Sequence, residues 1–483
     1  MNSTKLVNNN RNLLSKKHIN NSSTIFMNLR FLFFLFLANL LNAQEKNRPN
    51  ILLINIDDMG WKDVGFMGSE YYETPNIDQL AKEGMVFTNG YAAAANCSPS
   101  RASLMTGLWT PRHGIYTVGS SKRGNVKDRK LIPIKNNRSL SSEFKIIPQV
   151  LKENGYTTCH AGKWHLTNDP KEFGFDFNIG GSHSGFPKSY YPPYENVDIE
   201  KGKNDYLTDL ITEKAIEFIQ NSKQPFFLNF SPYAVHLPLN PLEELLEKYK
   251  NKEPHQGQRN PKYATMIENL DRNIGLVLES LKDNNTMIIF TSDNGGLQGI
   301  TQQKPLRAGK GSYYEGGIRE PFLFVWKDKI LENSVNKTPI TNLDIFPTIL
   351  HAANISYSSP LDGTDISNLL FNKQKNLVRA LFWHFPVYIQ SKNWKGFSFE
   401  NRDSLFRTRP GSIVRKGDWK LHYYFEDESV ELFNLKKDIS EKTNLINEFP
   451  EKAEQLKSLL ENWWKDTKAP IPNELNPKYI LDK

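Results

Sequence analysis

Four apolar segments, each ending in charged or imidazole side chains, constrain the fold of this chain more than any other feature. They span residues 50–56, 156–160, 226–230 and 287–291. Because their apolar residues are continuous rather than alternating, each segment is typical of a strand buried on both faces of a sheet. Segments with helical spacing separate them, and this alternation predicts an α/β fold. We expect a large mixed, mostly parallel sheet flanked by helices.

The polar residues that follow these four segments indicate one composite site. In open α/β sheets, ligands bind beyond the carboxyl ends of the strands, where several loops meet. An acidic pair alone is more often a helix cap, and a lone lysine or histidine is more often a surface charge. Four such clusters at four strand ends favour a shared site. In chain order the residues are Asp57 and Asp58, Lys163 and His165, His236, and Asp293 and Asn294.

Beyond about residue 375 the sequence pattern changes. Residues 412–423 are typical of a hairpin that turns at Lys416-Gly417-Asp418, and residues 430–435 are compatible with a further strand. Apolar residues at helical spacing follow in the segment 451–464. We therefore predict a main α/β domain over residues 44–375. A smaller C-terminal subdomain, an antiparallel sheet with one helix, is predicted over residues 376–483.

Residues 1–43 have the pattern of a secretory signal. Arg30 precedes an apolar run at 31–38, and small or polar residues lead from there to Ala43. The run is shorter than the roughly 20 apolar residues that span a bilayer. Export to the periplasm or the medium is therefore favoured over the alternative, a membrane anchor. No cysteine follows the run closely, which disfavours a lipoprotein.

The formal net charge of +8 does not indicate a nucleic-acid partner. The first 43 residues contain five lysines and arginines and no acidic residue, so removing these five charges from +8 leaves +3 for the remainder. A surface that binds the phosphate backbone requires a much stronger basic excess.

The run Cys97-Ser98-Pro99-Ser100-Arg101 is the sharpest single motif in the chain. Pro99 suits the first turn of a helix, where its missing N–H is not needed. Cys97 would then lie at or just before a helix N-terminus, which attracts anions, and Arg101 would lie one turn further on. The alternative for a lone cysteine is a buried structural residue in an ordinary capped helix.

This run, followed by Ala102-Ser103-Leu104-Met105-Thr106-Gly107, resembles the signature of the formylglycine-dependent type I sulfatases. The resemblance extends from about Arg48 to the C-terminal helix and implies an alkaline phosphatase-like fold. It also implies that a formylglycine-generating maturation enzyme oxidises Cys97 to 3-oxoalanine (formylglycine). The hydrate of that aldehyde would be the nucleophile that attacks a sulfate ester.

The same resemblance implies one Ca²⁺ per chain. Asp57 and Asp58 match one pair of metal ligands, Asp293 and Asn294 match the second pair, and residue 97 itself completes the set. Hard oxygen ligands of this kind suit Ca²⁺ better than Zn²⁺, for which histidine or cysteine would be expected.

The basic residues of the site are carried over from the family one by one. Arg101 matches the residue that stabilises the hydrate, Lys163 and His165 match a Gly-Lys-x-His motif, and His236 precedes a proline as in the family. Lys310 lies in Gly309-Lys310-Gly311-Ser312 and matches a sulfate-binding lysine. The resemblance thus assigns sulfate contacts to Lys163, His236 and Lys310.

The implied mechanism gives four side chains a role in proton transfer. Asp293 would help to deprotonate the hydrate, which attacks sulfur in line. His236 would protonate the leaving oxygen, with Lys310 as the competing candidate. His165 would act as the base when the aldehyde is regenerated and sulfate leaves.

Substrate specificity is expected from three loops, residues 119–129, 181–194 and 382–409. His183 in the second loop and His384 in the third are candidate substrate contacts. His384 lies in a run that resembles the Trp-His-Tyr-Pro-His-Tyr run of some bacterial sulfatases, but Val387 replaces the second histidine of that run. Packing and solvated charge are the alternatives for every residue in these loops. Candidates for stacking on sugar rings are Tyr388, Trp394 and Phe397, and candidates for binding further sulfates or carboxylates are Arg402, Arg407 and Arg409.

The preferred substrate class is a sulfated polysaccharide or its oligosaccharides, for example from algae. Two rival functions are a phosphatase or phosphonate monoester hydrolase of the same superfamily and a catalytically silent carbohydrate-binding protein. Cys97 and Cys159 are the only cysteines, and in an oxidising compartment they would ordinarily form a disulfide. Conversion of Cys97 excludes that bond and leaves Cys159 as a buried strand residue.

Overall fold

The four apolar segments all form strands in the computed structural model, which describes residues 48–480 except 204, 224, 282–284 and 392–399. The predicted signal segment and the aromatic residues Trp394 and Phe397 lie outside the described residues. The strands are β1 (Asn50–Ile56), β2 (Met85–Phe87), β3 (Gly90–Tyr91), β4 (Thr157–Gly162), β5 (Phe177–Ile179), β6 (Phe226–Ser231), β7 (Thr286–Ser292), β8 (Arg319–Glu320), β9 (Leu323–Val325), β10 (Ser334–Asn336), β11 (Ile340–Thr341), β12 (Ala380–Phe385), β13 (Ile389–Gln390), β14 (Phe406–Thr408), β15 (Gly411–Lys416), β16 (Trp419–Tyr424) and β17 (Val430–Asn434).

The main sheet has eight strands in the order β10-β2-β9-β7-β1-β6-β4-β5. The four predicted strands are neighbours at its centre and run parallel, with Ile54 of β1 in register with Phe230 of β6 and Phe290 of β7. Strand β9 runs antiparallel to β7 and to β2, so the sheet is mixed but mostly parallel, as expected. The residues after β1, β4, β6 and β7 therefore emerge at one edge.

Helices cover both faces of this sheet. The helices are α1 (Pro75–Lys82), α2 (Cys97–Thr106), α3 (Thr110–His113), α4 (Ile147–Glu153), α5 (Leu207–Asn221), α6 (Glu243–Lys250), α7 (Pro261–Glu279), α8 (Glu315–Ile318), α9 (Ile345–Ala352), α10 (Ser367–Leu370) and α11 (Pro450–Thr467). Four short 3₁₀ turns lie at Gly65–Met67, Val126–Asp128, Pro170–Phe173 and Asn342–Asp344. Among the described helices, none combines the length and the apolar character needed to cross a bilayer.

Strand β1 is buried on both faces, which explains its continuous apolar sequence. Leu52 and Ile54 belong to a core with side chains of α5 and α7, whereas Ile51 and Leu53 belong to a second core with side chains of α2, α4 and α9. Alternate residues of a strand point to opposite faces, so a strand between two helical layers needs apolar side chains at every position.

The C-terminal region contains the predicted antiparallel sheet, in the order β12-β15-β16-β17. Strands β15 and β16 form the predicted hairpin, and Gly417 in its turn has a φ of 60°. Leu456 and Leu460 of α11 pack against Val414 and Leu421 of this hairpin. Residues Pro49–Lys483 belong to one compact unit, and the boundary near residue 375 stays a prediction.

Candidate active site

The ends of β1 and β7 and the start of α2 bring the predicted metal ligands together. The Cys97 Sγ atom lies 3.6 Å from Oδ1 of Asp57 and 3.8 Å from Oδ1 of Asp58. The backbone N–H of Asp58 donates to Oδ1 of Asp293 at 3.3 Å. Potential ligand atoms of Asp57, Asp58, Cys97 and Asp293 all lie within 4.8 Å of one another. This convergence is the composite site that the sequence pattern indicates.

Cys97 is the first residue of α2, and Asn96 before it is extended, so the proline in the first turn does mark a helix start. The thiol is 2% exposed and forms no disulfide, as is also true of buried Cys159. Burial raises the pKa of the Cys97 thiol to about 12. Because the thiolate is the nucleophilic form of cysteine, the unmodified side chain is a poor nucleophile at neutral pH.

Arg101 joins three strand ends. Its Nε donates to Oδ2 of Asp293, and its Nη1 donates to the Lys163 carbonyl and to the Ser231 hydroxyl, each at 2.7 Å. Its Nη2 is buried without a hydrogen-bond partner and lies 4.0 Å from Oδ1 of Asp57. Ser231 had no role in the sequence analysis, and only its place at the end of β6 could have indicated one.

Lys163 contacts a carboxylate rather than the open site. Its Nζ donates to both carboxylate oxygens of Asp57 at 2.7 Å, and its side chain is fully buried. Lys163 was predicted to contact substrate directly, but its ammonium group is instead directed at Asp57. Lys163 instead offsets the charge of Asp57, a buried carboxylate that needs a partner.

Gly162 allows β4 to pass close to β6 just before Lys163. Its φ is 102°, and a Cβ atom there would lie 2.1 Å from the Ser231 carbonyl oxygen. We expect Gly162→Ala to lower the free energy of unfolding by about 3 kcal/mol or more, since backbone strain and overlap combine. Urea denaturation would measure this. Gly155→Ala is the matched control, with a φ of 87° and no atom within 4 Å of the added carbon; equal losses in both variants would contradict the overlap.

Lys310 and His236 face Cys97 and Asp58 from two other loops. Lys310 Nζ lies 3.1 Å from Cys97 Sγ and also donates to Asp58. Burial alone would lower the pKa of Lys310, but the carboxylates, chiefly Asp58, hold it above its ordinary value. His236 Nε2 lies 3.6 Å from Oδ2 of Asp58, and its Nδ1–H donates to the Leu237 carbonyl at 2.8 Å.

Both imidazoles of the site are held in the neutral form. Burial, followed by the charge of Lys310, lowers the pKa of His236 to about 3. Burial also places the pKa of His165 well below its ordinary value, and its Nδ1 is buried without a partner. His165 and Asp58 have φ values of 62° and 59°, a backbone region that residues other than glycine seldom occupy. Such backbone conformations concentrate at functional sites.

The donor set fits a hard divalent cation. Burial raises the pKa of Asp57 to about 7 despite Lys163, and the charges of Asp293 and Asp58 add to the effect. Three carboxylates this close repel one another, and a cation between them would reduce this repulsion in addition to the basic side chains that already contact them. Asn294 has a buried Oδ1 atom without a hydrogen-bond partner, and an amide oxygen is a ligand that Ca²⁺ accepts.

A cavity of about 300 Å³ opens onto these residues. It is lined by the predicted Asp58, Cys97, His165, His236 and Lys310, and also by Arg123, Phe186 and Arg407. Arg123 and Phe186 lie in two of the predicted specificity loops but were not singled out from the sequence. His183 is exposed and lies two residues before Gly185, which does line the cavity; its contact with substrate stays a prediction.

The predicted substrate contact by His384 is wrong. This residue is fully buried in β12, its Nδ1 lies 2.7 Å from the Ser412 hydroxyl, and its Nε2 lies 3.1 Å from the Pro470 carbonyl oxygen. Both ring nitrogens are therefore used within the protein. The imidazole also packs edge to face with the ring of Trp463, so His384 has a structural role between β15 and the C-terminal segment.

Three further candidates from the third loop are also structural. Tyr388 is fully buried, and its hydroxyl donates to Glu426. Arg409 pairs with Glu426 and Asp403, and Arg402 pairs with Asp427. The two arginines are thus paired with carboxylates of the protein, and the tyrosine is buried among its neighbours. Of the three arginines, Arg407 alone lines the cavity.

A mostly parallel sheet whose strand ends place carboxylates, imidazoles and ammonium groups around a helix N-terminus is typical of hydrolases that act on oxyanion esters. Residues 49–355 match the Sulfatase family model, and residues 309–468 match the model named N-sulphoglucosamine sulphohydrolase, C-terminal. The chain belongs to the sulfatase family and is a sulfuric ester hydrolase with the alkaline phosphatase-like fold.

Individual relatives agree with this assignment. A sulfatase of Formosa agariphila is 32% identical, over 87% of this chain and 89% of that protein. The N-acetylgalactosamine-6-sulfatase of Homo sapiens is 31% identical, over 70% of this chain and 68% of that protein. The crystal structure of Ps i-CgsB in complex with k-i-k-neocarrahexaose has a TM-score of 0.72 and 30% identity, and the match covers 88% of this chain and 94% of that chain.

Proposed function

We propose that the protein hydrolyses sulfate esters of a sulfated carbohydrate, with formylglycine at position 97 as nucleophile and one Ca²⁺ as cofactor. The observation that supports this most is the position of Cys97. Its Sγ is within 4.8 Å of ligand atoms on Asp57, Asp58 and Asp293 and 3.1 Å from the ammonium of Lys310. A side chain there is surrounded by groups that suit a nucleophile attacking an anionic ester.

The chemistry of position 97 favours modification of the cysteine. The buried thiol has a pKa of about 12 and so remains protonated at neutral pH. Oxidation by a maturation enzyme would replace it with an aldehyde, whose hydrate supplies an oxygen nucleophile and a route back to the free aldehyde. Cys159 lies in β4 in the core of the main sheet, where no such role is available.

The residues that would hold the Ca²⁺ are Asp57, Asp58, Asp293 and Asn294, together with residue 97. When bound, the cation supplies Lewis-acid stabilisation of negative charge at the nucleophile and the sulfuryl group. Basic side chains around the site orient these carboxylates. Arg101 fixes Asp293, and Lys163 fixes Asp57 through both of its oxygens.

Two groups compete for protonation of the leaving oxygen. Since the carbonyl of Leu237 can only accept, Nδ1 of His236 carries the proton, and in the neutral ring Nε2 has a lone pair. Lys310 holds protons on Nζ at neutral pH. The neutral ring of His165 suits a base. Lys310 is therefore the better placed acid at neutral pH, and His236 takes this role only when it is protonated.

Leaving-group dependence separates these roles and tests the function. We expect Lys310→Ala to reduce the kcat/KM for an alkyl sulfate about 10²- to 10⁴-fold, because an alkoxide needs a proton to leave. For nitrophenyl sulfate, whose phenolate leaves without help, we expect a clearly smaller loss. His236→Ala in parallel shows which of the two side chains has the larger leaving-group effect.

The matching nitrophenyl phosphate tests the rival function. We expect the wild-type protein, produced with a maturation enzyme, to release sulfate faster than phosphate from the paired esters. Faster phosphate release would favour a phosphatase. No turnover of either ester would favour a silent binding protein. For the acid itself, equal losses of kcat/KM for alkyl and nitrophenyl sulfate in both Lys310→Ala and His236→Ala would exclude both residues.

The substrate class rests on the relatives and on the cavity. Ps i-CgsB was solved with a neocarrahexaose, and the mammalian relatives are named as acting on an N-acetylgalactosamine-6-sulfate. A cavity of about 300 Å³ is large enough for a sugar residue. We therefore include sulfated polysaccharides or their oligosaccharides, such as those of algae, in the proposal. Export to the periplasm or medium, which the pattern of residues 1–43 indicates, would bring the enzyme to such substrates.

A further inference from the structure

Two arginines line the cavity without a carboxylate partner. Arg123 comes from the basic loop 119–129 and Arg407 from β14, and both line the cavity that Cys97 and His236 also line. Among the residues that the structure describes, neither guanidinium forms an ion pair. Arg402 and Arg409, only a few residues away in the chain, are both paired. The cavity is therefore lined by two guanidinium groups that are not in contact with a carboxylate of the described chain.

Arg407 is fixed beside the catalytic lysine. Its Nη1 donates to the carbonyl oxygen of Lys310 at 3.1 Å, while its Nε is buried without a partner. Thr408 donates to the neighbouring Gly311 carbonyl at 2.8 Å, so β14 is tied to the Lys310 loop at two points. Such a guanidinium is held in place before a ligand arrives, which lowers the entropic cost of binding.

The two guanidiniums are close enough to affect each other. Burial lowers the pKa of Arg407 to about 10, and the charge of Arg123 contributes in the same direction. The charge of Asp58 acts in the opposite direction, but neither guanidinium forms an ion pair with a described residue, and two partly buried like charges that lack one are unfavourable. An oxyanion between them would remove this cost and would accept several N–H donors, as sulfate and carboxylate do from arginine.

The rest of the wall suits a sugar ring. Phe186 is 50% exposed and stacks on the imidazole of His236, with ring centroids 5.7 Å apart and an interplanar angle of 11°. Leu237 and Leu297 add apolar surface nearby. Apolar lining with a few fixed charges is the composition of a pocket that orients one ligand.

We infer that Arg123 and Arg407 form a second oxyanion subsite, which binds another sulfate or a carboxylate on the saccharide whose sulfate ester lies at residue 97. This inference rests on the proposed function and adds a selectivity to it. Saccharides with two anionic groups are preferred over those with one. Arg407 links the subsite to Lys310, so a correctly seated second anion also positions the reacting ester.

The test compares three saccharides of equal length: one with a single sulfate, one with two sulfates, and one with a sulfate and a uronate carboxylate. For wild-type protein we expect the highest kcat/KM with one of the two dianionic saccharides, which identifies the second anion. In Arg123→Gln the preference of that saccharide over the monosulfated one is expected to fall about 10- to 100-fold. Arg407→Lys keeps the charge but loses the bidentate hydrogen-bonding geometry of the guanidinium. It is expected to reduce the preference less than Arg123→Gln does.

Arg272→Gln is the matched control, because Arg272 is exposed on α7 and does not line the cavity. It is expected to leave the preference unchanged. Binding of the same saccharides to Cys97→Ala protein, with and without Arg123→Gln, gives a readout that needs no turnover. If Arg123→Gln removes the preference for the dianionic saccharide in this binding assay, the subsite is supported. That conclusion would hold even if wild-type protein hydrolysed no sulfate ester, because the lack of turnover would refute only the proposed function. Equal losses for mono- and dianionic saccharides in both assays would overturn the inference.

Discussion

Cys97→Ala is expected to reduce sulfate-ester turnover by about 10⁴-fold or more while the protein still folds. Removing the nucleophile leaves only the binding groups, and losses of this size are typical when a covalent nucleophile is deleted. The side chain is small and sits at the first position of α2, so its truncation creates little empty volume. Turnover of nitrophenyl sulfate measures the loss, and thermal unfolding checks the fold.

Cys159→Ala is the control that the chain itself provides. Cys159 is also fully buried and free, but it lies within β4, paired with Leu228 of β6 and Phe177 of β5. Its truncation should cost about 1 kcal/mol of stability and little activity. Similar activity losses in the two variants would mean that position 97 acts through packing rather than through chemistry.

Removal of Ca²⁺ is expected to lower both activity and stability. Chelation should reduce kcat about 10²- to 10³-fold, because the cation offsets several kcal/mol of developing charge. Added Ca²⁺ at 100 times its Kd should raise the free energy of unfolding by about 2.7 kcal/mol. Asp58→Asn is expected to lose most of this Ca²⁺-dependent gain, measured as the shift in Tm on Ca²⁺ addition.

Asp63→Asn is the matched control for Asp58→Asn. Asp63 is a buried carboxylate near the site, but its oxygens accept hydrogen bonds from Gln303, Thr301 and Tyr263. The side-chain NH₂ group of asparagine would face the hydrogen-bond donors of Gln303, Thr301 and Tyr263, so the Tm should fall. The Ca²⁺-dependent shift should remain. If Asp63→Asn abolished the shift and Asp58→Asn retained it, the cation would have to bind elsewhere.

The sequence was most informative where local chemistry decides the structure. Continuous apolar segments are typical of strands that are covered on both faces, and this pattern correctly predicted β1, β4, β6 and β7 as buried strands. The polar residues after them had to emerge at one edge. Pro99 is disfavoured in a helix interior, which correctly placed Cys97 at the start of α2. Gly417 marked the turn of the C-terminal hairpin for a similar reason.

The sequence was least informative where a distant partner decides the role of a side chain. His384 has the same chemistry as His236, and only the carbonyl of Pro470 and the hydroxyl of Ser412 make it structural. Arg407 and Arg409 are two residues apart, yet Arg409 meets Glu426 and Arg407 meets the cavity. No local pattern encodes these differences, because they depend on long-range packing.

The chemical state of residue 97 in active protein tests the central claim most directly. Trypsin should release a peptide that ends at Arg101, and mass spectrometry shows whether residue 97 carries a thiol or an aldehyde. The aldehyde form has lost one sulfur and two hydrogens and gained one oxygen. We expect specific activity to rise in proportion to the fraction of aldehyde across preparations made with and without the maturation enzyme. Full activity in a preparation whose residue 97 is entirely thiol would contradict the formylglycine mechanism.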